Sequence, residues 1–419
     1  MKIMMVHNTY REKGGEEIVF DNERSLLERK GHTVIPYVRS NSELRDGNIV
    51  HRISMISRMV WSSKSHKEVA ALLDAESPDL VHIHNTFLAI SPSIYSACSE
   101  LAIPVVQTLH NFRLLCPAGS FYRDGKICEE CVDQTLLQSI RHGCYRNSRM
   151  ASTGVALMLS VHRFMDTWLT SVKRFIALTH FAKGKFVSAG FPADRIVVKP
   201  NFLGTDPGER KSGGEYGAFI GRLDPKKGLS TLLDAWGKLC SAVPLQIVGD
   251  GPDRPEFEVQ AERLRLSDVK FRGRLSRAET MEVIKGARFL IVPSPLFEGF
   301  PMAIVEAFAS GTPVLCSRLG GLPEIVEENK TGLHFHPGDA QDLARKVDWA
   351  WSHPMELAEM GRTARRKYEK YYTAERNYAL LMEIYEQARG IDSGAESPPE
   401  LNAPEIPSRI ESDHSVSIG

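Results

Sequence analysis

The chain has 419 residues, of which 42% are hydrophobic and 25% charged, proportions that are ordinary for a globular protein of two or three domains. Lysine plus arginine and aspartate plus glutamate number 52 each, so no excess of positive charge indicates nucleic acid as a partner. No apolar run approaches the roughly 20 residues of a membrane-spanning helix. The N-terminus lacks the pattern of a secretory signal, so we expect a cytoplasmic protein.

Short apolar runs alternate with segments of helical periodicity in the first half of the chain. The runs predicted as strands are residues 3–6, 34–38, 80–84, 105–109 and 175–178. Helices are predicted between them, over residues 16–30 and 91–100. This alternation indicates a doubly wound parallel sheet, the α/β class in which ligands bind at the carboxyl ends of the strands.

The loop that follows the first predicted strand contains Gly14 and Gly15 and leads directly into a helix. Because glycine has no side chain, a phosphate or a sugar can approach the backbone of a helix N-terminus closely there. The pair alone is equally consistent with a simple turn. A NAD-dependent dehydrogenase is disfavoured, since no G-x-G-x-x-G motif follows this strand.

Histidines mark the ends of two predicted strands. His110 follows the strand at 105–109 and therefore lies at its carboxyl end, where a ligand would bind. His82 and His84 alternate near the end of the strand at 80–84, so they share one face of it. Their side chains either pack inward or face the crevice, and the sequence leaves both interpretations open.

Four of the seven cysteines fall in one turn-rich insert. Cys128 and Cys131 form a C-x2-C knuckle, while Cys116 lies 12 residues before it and Cys144 lies 13 residues after it. A structural zinc ion commonly uses one such knuckle together with other thiolates, and His142 could replace one of them. The alternative is reduced thiols that only pack. Disulfides are not expected in a cytoplasmic protein.

Two features mark the end of the first half of the chain. The segment 148–171 is predicted to form one long helix with basic and aromatic residues. Such a helix could lie on a membrane surface, or it could pack on its own domain. Turn-forming residues then accumulate over 199–214, which places a domain boundary there.

A second alternation of strands and helices fills the second half of the chain. The turn after its first strand contains Arg222 and Lys227, whose cationic side chains could neutralise a diphosphate, although a solvated basic turn is the alternative. Gly249 lies at a second glycine-rich strand end, where backbone could approach a nucleotide. Strands are predicted at 218–220, 245–248, 269–272, 289–292 and 314–317, and later helices at 340–351, 355–370 and 373–389.

Two acids lie eight positions apart around a Gly-Phe-Pro turn. Glu298 follows the strand at 289–292, and Glu306 lies about two turns into a helix whose first turn contains Pro301. Backbone N–H groups of residues 299–303 would point into the same crevice and form an anion site. For either glutamate alone, a surface or helix position without a shared role is the simpler interpretation.

The wider pattern carries more information than its single residues. Glu298 begins the sequence E-G-F-P-x-A-x-x-E-A-x-A-x-G-x-P-V, which is followed by Gly320-Gly321-x-x-Glu324 and by Thr331-Gly332. The turn that contains Arg222 and Lys227 reads G-R-x-x-x-x-K-G. Together these motifs resemble the signature of family 4 retaining glycosyltransferases, which have the two-domain GT-B fold, and the resemblance covers roughly residues 1–390.

The resemblance implies two Rossmann-like domains that face each other across a cleft. An N-terminal acceptor-side domain would span 1–204, with the cysteine-bearing insert at about 112–147. A nucleotide-sugar-binding domain would span 205–372, and a helix at 373–390 would cross back to the first domain. Residues 391–419 contain prolines, serines and few large apolar residues, so we expect a disordered tail.

The resemblance also implies a reaction, the transfer of a sugar from a UDP- or GDP-linked donor to a hydroxyl of a glycan or lipid-linked acceptor. The anomeric configuration would be retained, and the pathway would be bacterial cell-surface polysaccharide synthesis at the inner membrane face. Catalysis would require no metal cofactor. The rival interpretations are another GT-B enzyme, such as a sugar-phosphate synthase or a nucleotide-sugar epimerase, and a non-catalytic scaffold that binds sugar nucleotides.

The family pattern assigns roles to particular residues. His110 and Glu298 would contact the transferred sugar. Arg222 and Lys227 would bind the diphosphate, and Glu306 would bind the ribose hydroxyls. The remaining donor-binding positions implied by the resemblance are Gly14, Gly15, Gly249, Gly299, Phe300, Pro301 and Met302.

Overall fold

The computed structural model describes residues 1–10, 14–43, 49–211 and 213–391. Two six-stranded sheets dominate it, and every strand pairing within them is parallel. This confirms the predicted α/β fold class of two doubly wound domains. The predicted C-terminal tail lies outside the described residues, apart from its first residue.

The first sheet has the strand order β2-β1-β3-β4-β7-β8. The strands of this half of the chain are β1 (Lys2–Thr9), β2 (Thr33–Ser40), β3 (Leu80–Asn85), β4 (Val105–Leu109), β5 (Tyr122–Arg123), β6 (Lys126–Ile127), β7 (Val172–Ala177) and β8 (Ile196–Val198). Six consecutive residues of β1 are buried, as expected for a strand covered on both faces. Strands β5 and β6 form a separate hairpin in the cysteine-bearing insert.

The helices of the first half connect these strands. They are α1 (Gly15–Arg29), α2 (Ile49–Val60), α3 (Ser63–Glu76), α4 (Ser93–Glu100), α5 (Glu130–Asp133), α6 (Leu137–His142), α7 (Arg149–Phe164), α8 (Thr167–Ser171) and α9 (His180–Ser188). The single helix predicted over 148–171 is wrong, because Asp166 adopts a left-handed conformation with φ of 49°. The chain therefore turns between α7 and α8.

The second sheet has the strand order β11-β10-β9-β12-β13-β14. Its strands are β9 (Tyr216–Ile220), β10 (Leu245–Val248), β11 (Val269–Gly273), β12 (Ala287–Val292), β13 (Val314–Ser317) and β14 (Gly332–Phe335). The helices of this half are α10 (Leu229–Trp236), α11 (Arg254–Arg263), α12 (Arg277–Gly286), α13 (Met302–Ala309), α14 (Leu322–Ile325), α15 (Ala340–Ser352), α16 (Pro354–Tyr371) and α17 (Ala374–Ala388). The short strand β14 was not predicted.

The last helix packs on the first domain, although it follows the second in sequence. Leu381, Ile384 and Tyr385 of α17 are buried in a cluster with Ile3 of β1 and Val106 of β4. The chain thus passes between the domains twice. The two connections lie side by side, since the backbone N–H of Leu203 donates a hydrogen bond to the Tyr372 carbonyl oxygen at 3.2 Å.

The core of the second domain includes α13 itself. Seven of its eight residues are buried, among them Ile304, Val305 and Phe308. Glu306 is the one acid within this apolar helix. In the described part of the chain, no helix combines the length and the apolar character that crossing a membrane requires.

Candidate active site

Three loops of the second domain meet where the strands β9, β10 and β12 end. Gly228 has a φ of 75°, and a Cβ atom there would lie 1.9 Å from the Pro293 carbonyl oxygen. A Cβ atom on Gly249 would lie 1.8 Å from the Gly221 carbonyl oxygen. Only glycine tolerates such close backbone approach. The glycines therefore bring the Arg222–Lys227 turn against the loop that contains Glu298.

Lys227 and Glu298 form an ion pair within this group of loops. The Nζ atom of Lys227 lies 2.7 Å from Oε1 and 3.0 Å from Oε2 of Glu298. The Ser294 hydroxyl also donates to Glu298 Oε1. Ser294, which lies four residues before the recognised motif, was not predicted as a site residue. Arg222 is more open, with its side chain 47% exposed, and its Nε lies 4.0 Å from Asp224 Oδ2.

Glu306 is buried in α13 and differs in environment from Glu298. Burial raises its pKa to about 7, an effect that the nearby positive charge of Arg277 partly offsets. Within the described residues, no side chain or backbone group donates a hydrogen bond to this carboxyl group. Glu306 therefore has unused capacity to bind hydroxyl groups. Arg277, the first residue of α12, was not predicted as part of the site.

The N-terminus of α13 borders the same loops. The helix begins at Met302, one residue later than predicted, because Pro301 has extended backbone angles and occupies the N-cap position. No side chain of the N-cap residue satisfies the first N–H groups, which leaves a positive helix end that favours an anion. Asn201 donates to the Phe300 carbonyl oxygen at 3.2 Å and holds this segment against the domain connection.

The first domain contacts the segment that leads into α13 at two of the predicted donor-binding positions, Gly299 and Met302. A Cβ atom on Gly299 would lie 2.4 Å from the His110 carbonyl oxygen, so the two backbones touch. A Cβ atom on Gly15 would lie 3.8 Å from Cγ of Met302. His110 and the Gly14-Gly15 loop are thereby brought to the Glu298 loop, across the boundary between the domains.

Two acids at the start of α1, neither of them predicted as a site residue, hold this part of the first domain in place. Glu17 accepts hydrogen bonds from the backbone N–H groups of Tyr10 at 3.0 Å and of Gly14 at 2.8 Å. Glu16 accepts a hydrogen bond of 2.6 Å from the side chain of Asn111, the residue after His110. The G-G-x-E spacing, which places an acid at the third position of α1, is a signal that could have identified Glu17.

The side chains of His82 and His84 pack inward, which is one of the two arrangements that the sequence left open. Both side chains are buried. His82 Nδ1 lies 2.8 Å from the Tyr385 hydroxyl, and its Nε2 lies 2.8 Å from the Thr108 hydroxyl. His84 Nδ1 lies 3.0 Å from Nε2 of His110.

The four cysteines of the insert lie near one another as free thiols. Burial, together with the neighbouring Cys116, Cys144 and Cys128, raises the pKa of the Cys131 thiol to about 12. Among the described residues, however, only Glu23, His82 and His84 place three candidate ligand atoms within 4.8 Å of one another. No three of the sulfurs therefore have the spacing of metal ligands, and His142 instead lies 3.8 Å from Glu130. The zinc ion stays a prediction.

Comparison with known proteins places this geometry in a family. The model described as Glycosyltransferase Family 4 matches residues 13–206, and the model described as Glycosyl transferases group 1 matches residues 206–367. The D-rhamnosyltransferase WbpZ of Pseudomonas aeruginosa is 29% identical over 232 residues, which are 52% of this chain and 60% of that protein. The chain thus spans less than two thirds of this relative.

Solved structures share the whole fold. Sucrose-phosphate synthase from Thermosynechococcus elongatus superposes with a TM-score of 0.68 at 17% identity, over 92% of this chain and 98% of that one. Anabaena HepE in complex with UDP and glucose superposes with a TM-score of 0.63 at 18% identity, over 91% and 98% of the two chains. The two family matches are consecutive and cover residues 13–367. The chain therefore belongs to glycosyltransferase family 4, with a second half of the glycosyl transferases group 1 type, and has the GT-B fold.

Proposed function

We propose that this protein is a retaining hexosyltransferase that moves a sugar from a nucleotide diphosphate sugar to a hydroxyl of a glycan or lipid-linked acceptor. The observation that carries the proposal is the contact of His110 with Gly299, next to the Lys227–Glu298 pair. Groups suited to a sugar, a diphosphate and a ribose thus converge at one boundary between domains. The UDP and glucose in the HepE structure support this type of donor.

The proposed chemistry is stabilisation of the leaving group. As the bond between the anomeric carbon and the phosphate oxygen breaks, negative charge develops on the diphosphate. Arg222, Lys227 and the N-terminus of α13 supply positive charge at that position. In this proposal these groups do the work that a divalent metal performs in other transferases.

The two acids have separate roles in the proposal. Glu298, which is held by Lys227 and Ser294, binds the hydroxyls of the donor hexose. Glu306 binds the ribose hydroxyls, which supply the hydrogen bonds that its carboxyl group lacks. His110 contacts the transferred sugar from the first domain, so the sugar is enclosed when both domains are in place.

The first domain also offers a surface for peripheral membrane contact. Met150, Leu157 and Phe164 lie on the outward face of α7, and Phe164 is 91% exposed. Arg149 on the same helix is exposed as well. Apolar side chains flanked by a cation suit an anionic bilayer surface. We expect the protein to sediment together with phosphatidylglycerol vesicles, and the variant Leu157→Glu/Phe164→Glu to lose this binding. Equal sedimentation of the two proteins would contradict membrane contact through α7.

A donor screen tests the proposed function. Purified protein is incubated with UDP- and GDP-linked hexoses, and nucleotide release is followed with lipid-linked glycans, with soluble sugar phosphates and without acceptor. Release that depends on a glycan acceptor, with an α-linked product from an α-linked donor, supports the proposal. Release that depends only on a sugar phosphate would identify a sugar-phosphate synthase instead. Conversion of the donor sugar without transfer would identify an epimerase, and tight donor binding without turnover would identify a scaffold.

A further inference from the structure

A continuous series of buried polar side chains leads from His110 into the first domain. His110 Nε2 lies 3.0 Å from His84 Nδ1, and the two rings stack with centroids 5.2 Å apart. His84 Nε2 lies 3.4 Å from Oε2 of Glu23. The other oxygen of Glu23 accepts a hydrogen bond of 2.5 Å from Lys199, which also donates to Oδ1 of Asn377 at 2.6 Å.

The charge state of this series follows from its surroundings. Burial alone would raise the pKa of Glu23, but the positive charge of Lys199 and the adjacent His84 ring hold it well below its usual range. Burial lowers the pKa of His84, and it lowers the pKa of His110 well below the usual value. At neutral pH the series therefore contains an ionised carboxylate followed by two neutral imidazoles.

A neutral imidazole carries one proton, and the carboxylate determines on which nitrogen. Glu23 Oε2 and His84 Nε2 are both buried and lack a hydrogen-bond partner within the described chain, although they lie only 3.4 Å apart. If His84 Nε2 lacked the proton, two lone pairs would face each other in a buried site. The proton of His84 is therefore on Nε2, and its Nδ1 accepts a hydrogen bond from Nε2–H of His110. The Nδ1 atom of His110 is left as an acceptor.

We propose that His84 and Glu23 are positioning residues that fix the tautomer of His110, so that its Nδ1 accepts a hydrogen bond from a hydroxyl of the transferred sugar. The inference rests on the proposed function for the role of His110, but the tautomer itself does not depend on any activity. Asn377 of α17 fixes Lys199, so the helix that crosses back completes the series.

Variants of His84 test the positioning role. In His84→Leu the ring of His110 loses its hydrogen-bond acceptor, and we expect turnover to fall by about 100-fold, the scale of a misplaced reacting group. His84→Gln offers a side-chain oxygen that can accept from His110, so most of the turnover should return. His334→Gln is the control, because His334 is a buried histidine on β14 of the second domain, where it pairs with Val326 and Glu328 and not with His84, Glu23 or His110.

The tautomer is measured directly by nitrogen NMR of histidine-labelled protein, with the His110 signals assigned from a His110→Gln spectrum. The proposal requires a proton on Nε2 and none on Nδ1 of His110 at neutral pH. It also requires this pattern to change in His84→Leu and to persist in His334→Gln. A proton on Nδ1 of His110 in the unmodified protein would overturn the inference, even if the protein transfers sugars.

Glu23 requires a paired design, since its loss alone leaves Lys199 buried without a counter-charge. We expect Glu23→Leu, which leaves no oxygen to accept from His84, to lower the melting temperature, and Glu23→Leu/Lys199→Met to recover it by removing both charges. The recovered double variant should still show the altered His110 tautomer and reduced turnover. A folded double variant with the original tautomer and full turnover would show that Glu23 does not position His110. Failure of the proposed function alone would leave the NMR result unchanged.

Discussion

Lys227 and Glu298 contact each other at 2.7 Å, although the proposed mechanism gives them different parts of the donor. A bound diphosphate would accept hydrogen bonds from Lys227 in addition to, or in place of, Glu298. The ammonium group is therefore prepositioned by an acid that, in the proposed mechanism, also binds the sugar. Such prepositioning reduces the reorganisation needed as charge develops on the leaving group.

Removal of either cation should show how much of the reaction depends on it. We expect Arg222→Ala and Lys227→Ala each to reduce turnover by about 100-fold or more, since a lost charge-stabilising group typically costs about 3–4 kcal/mol in the transition state. Lys226→Ala is the matched control, because Lys226 lies in the same turn and its side chain is exposed. Steady-state kinetics with unchanged turnover in both variants would remove these cations from the mechanism.

Glu306 should make the stability of the fold depend on pH. Its pKa of about 7 exceeds the value of an unfolded glutamate, so the folded protein retains this proton at a pH where the unfolded chain has lost it. Stability from this group is therefore complete below about pH 4 and falls as pH rises to about 7. The loss is about 3 kcal/mol for a shift of this size, which Glu306→Gln should abolish.

Urea unfolding at several pH values tests this prediction. At pH 8 the Glu306→Gln variant should be more stable than the unmodified protein, whereas at pH 4 the two should be similar. Glu256→Gln on the exposed face of α11 controls for the general effect of removing a carboxylate. The same difference in unfolding free energy at pH 4 and pH 8 would contradict the assignment.

At the scale of elements, the cysteine-bearing insert is built from very short pieces. The hairpin strands β5 and β6 have two residues each, and α5 has four. Phe121 and Leu136 of the insert bury their side chains in the core of the first domain. These buried apolar side chains explain how the insert could fold without a metal ion. A zinc ion would instead draw the thiols closer together and add stability to the insert.

The two explanations make opposite predictions for metal content. With a zinc site, elemental analysis of purified protein should give about one zinc per chain. The variant Cys128→Ser/Cys131→Ser should then lose the metal and destabilise the first domain, while donor nucleotide still binds the second domain. Protein without metal, in which all four thiols react with a thiol reagent after unfolding, would leave packing as the role of the cysteines. Cys240→Ser is the control, because Cys240 is exposed and outside the insert.

The elements also show what the sequence could and could not predict. Buried strands such as β1 and β12 were located from continuous apolar runs, because both faces of a parallel sheet are covered. The break between α7 and α8 was missed, because it depends on a left-handed aspartate rather than on proline or glycine. The four-residue strand β14 was missed because it follows a turn and has little apolar length.

Within the site, motif residues were easier to predict than their partners. Glu298, Lys227 and His110 stand at fixed positions relative to strand ends, and such positions can be read from one sequence. Ser294 has no role until the fold turns its hydroxyl toward Glu298. His84 on β3 contacts Glu23 on α1, which lies 61 positions earlier in the chain. No local sequence pattern predicts such a contact.

At the scale of the whole molecule, the site depends on both domains and on positive protein charge. Because Arg222, Lys227 and the α13 N-terminus are all near the proposed diphosphate position, we expect transfer to proceed in the presence of a chelator. Initial rates should be measured with EDTA and then with added magnesium. Complete loss of activity that magnesium restores would contradict this prediction. A parallel reaction in which zinc instead of magnesium is added after EDTA separates an effect on the insert, which zinc would reverse, from an effect on catalysis.

The hydrogen bond between Leu203 and Tyr372 has a mechanical consequence. On one connection, Lys199 is fixed to Glu23 of the first domain, and Asp206 is fixed to Arg365 of the second at 2.6 Å. On the other, Asn377 is fixed to Lys199. We expect two adjacent connections that are anchored on both sides to favour rotation of the domains about one axis over sliding. A closing rotation about that axis would return Gly299 to the same contact with His110.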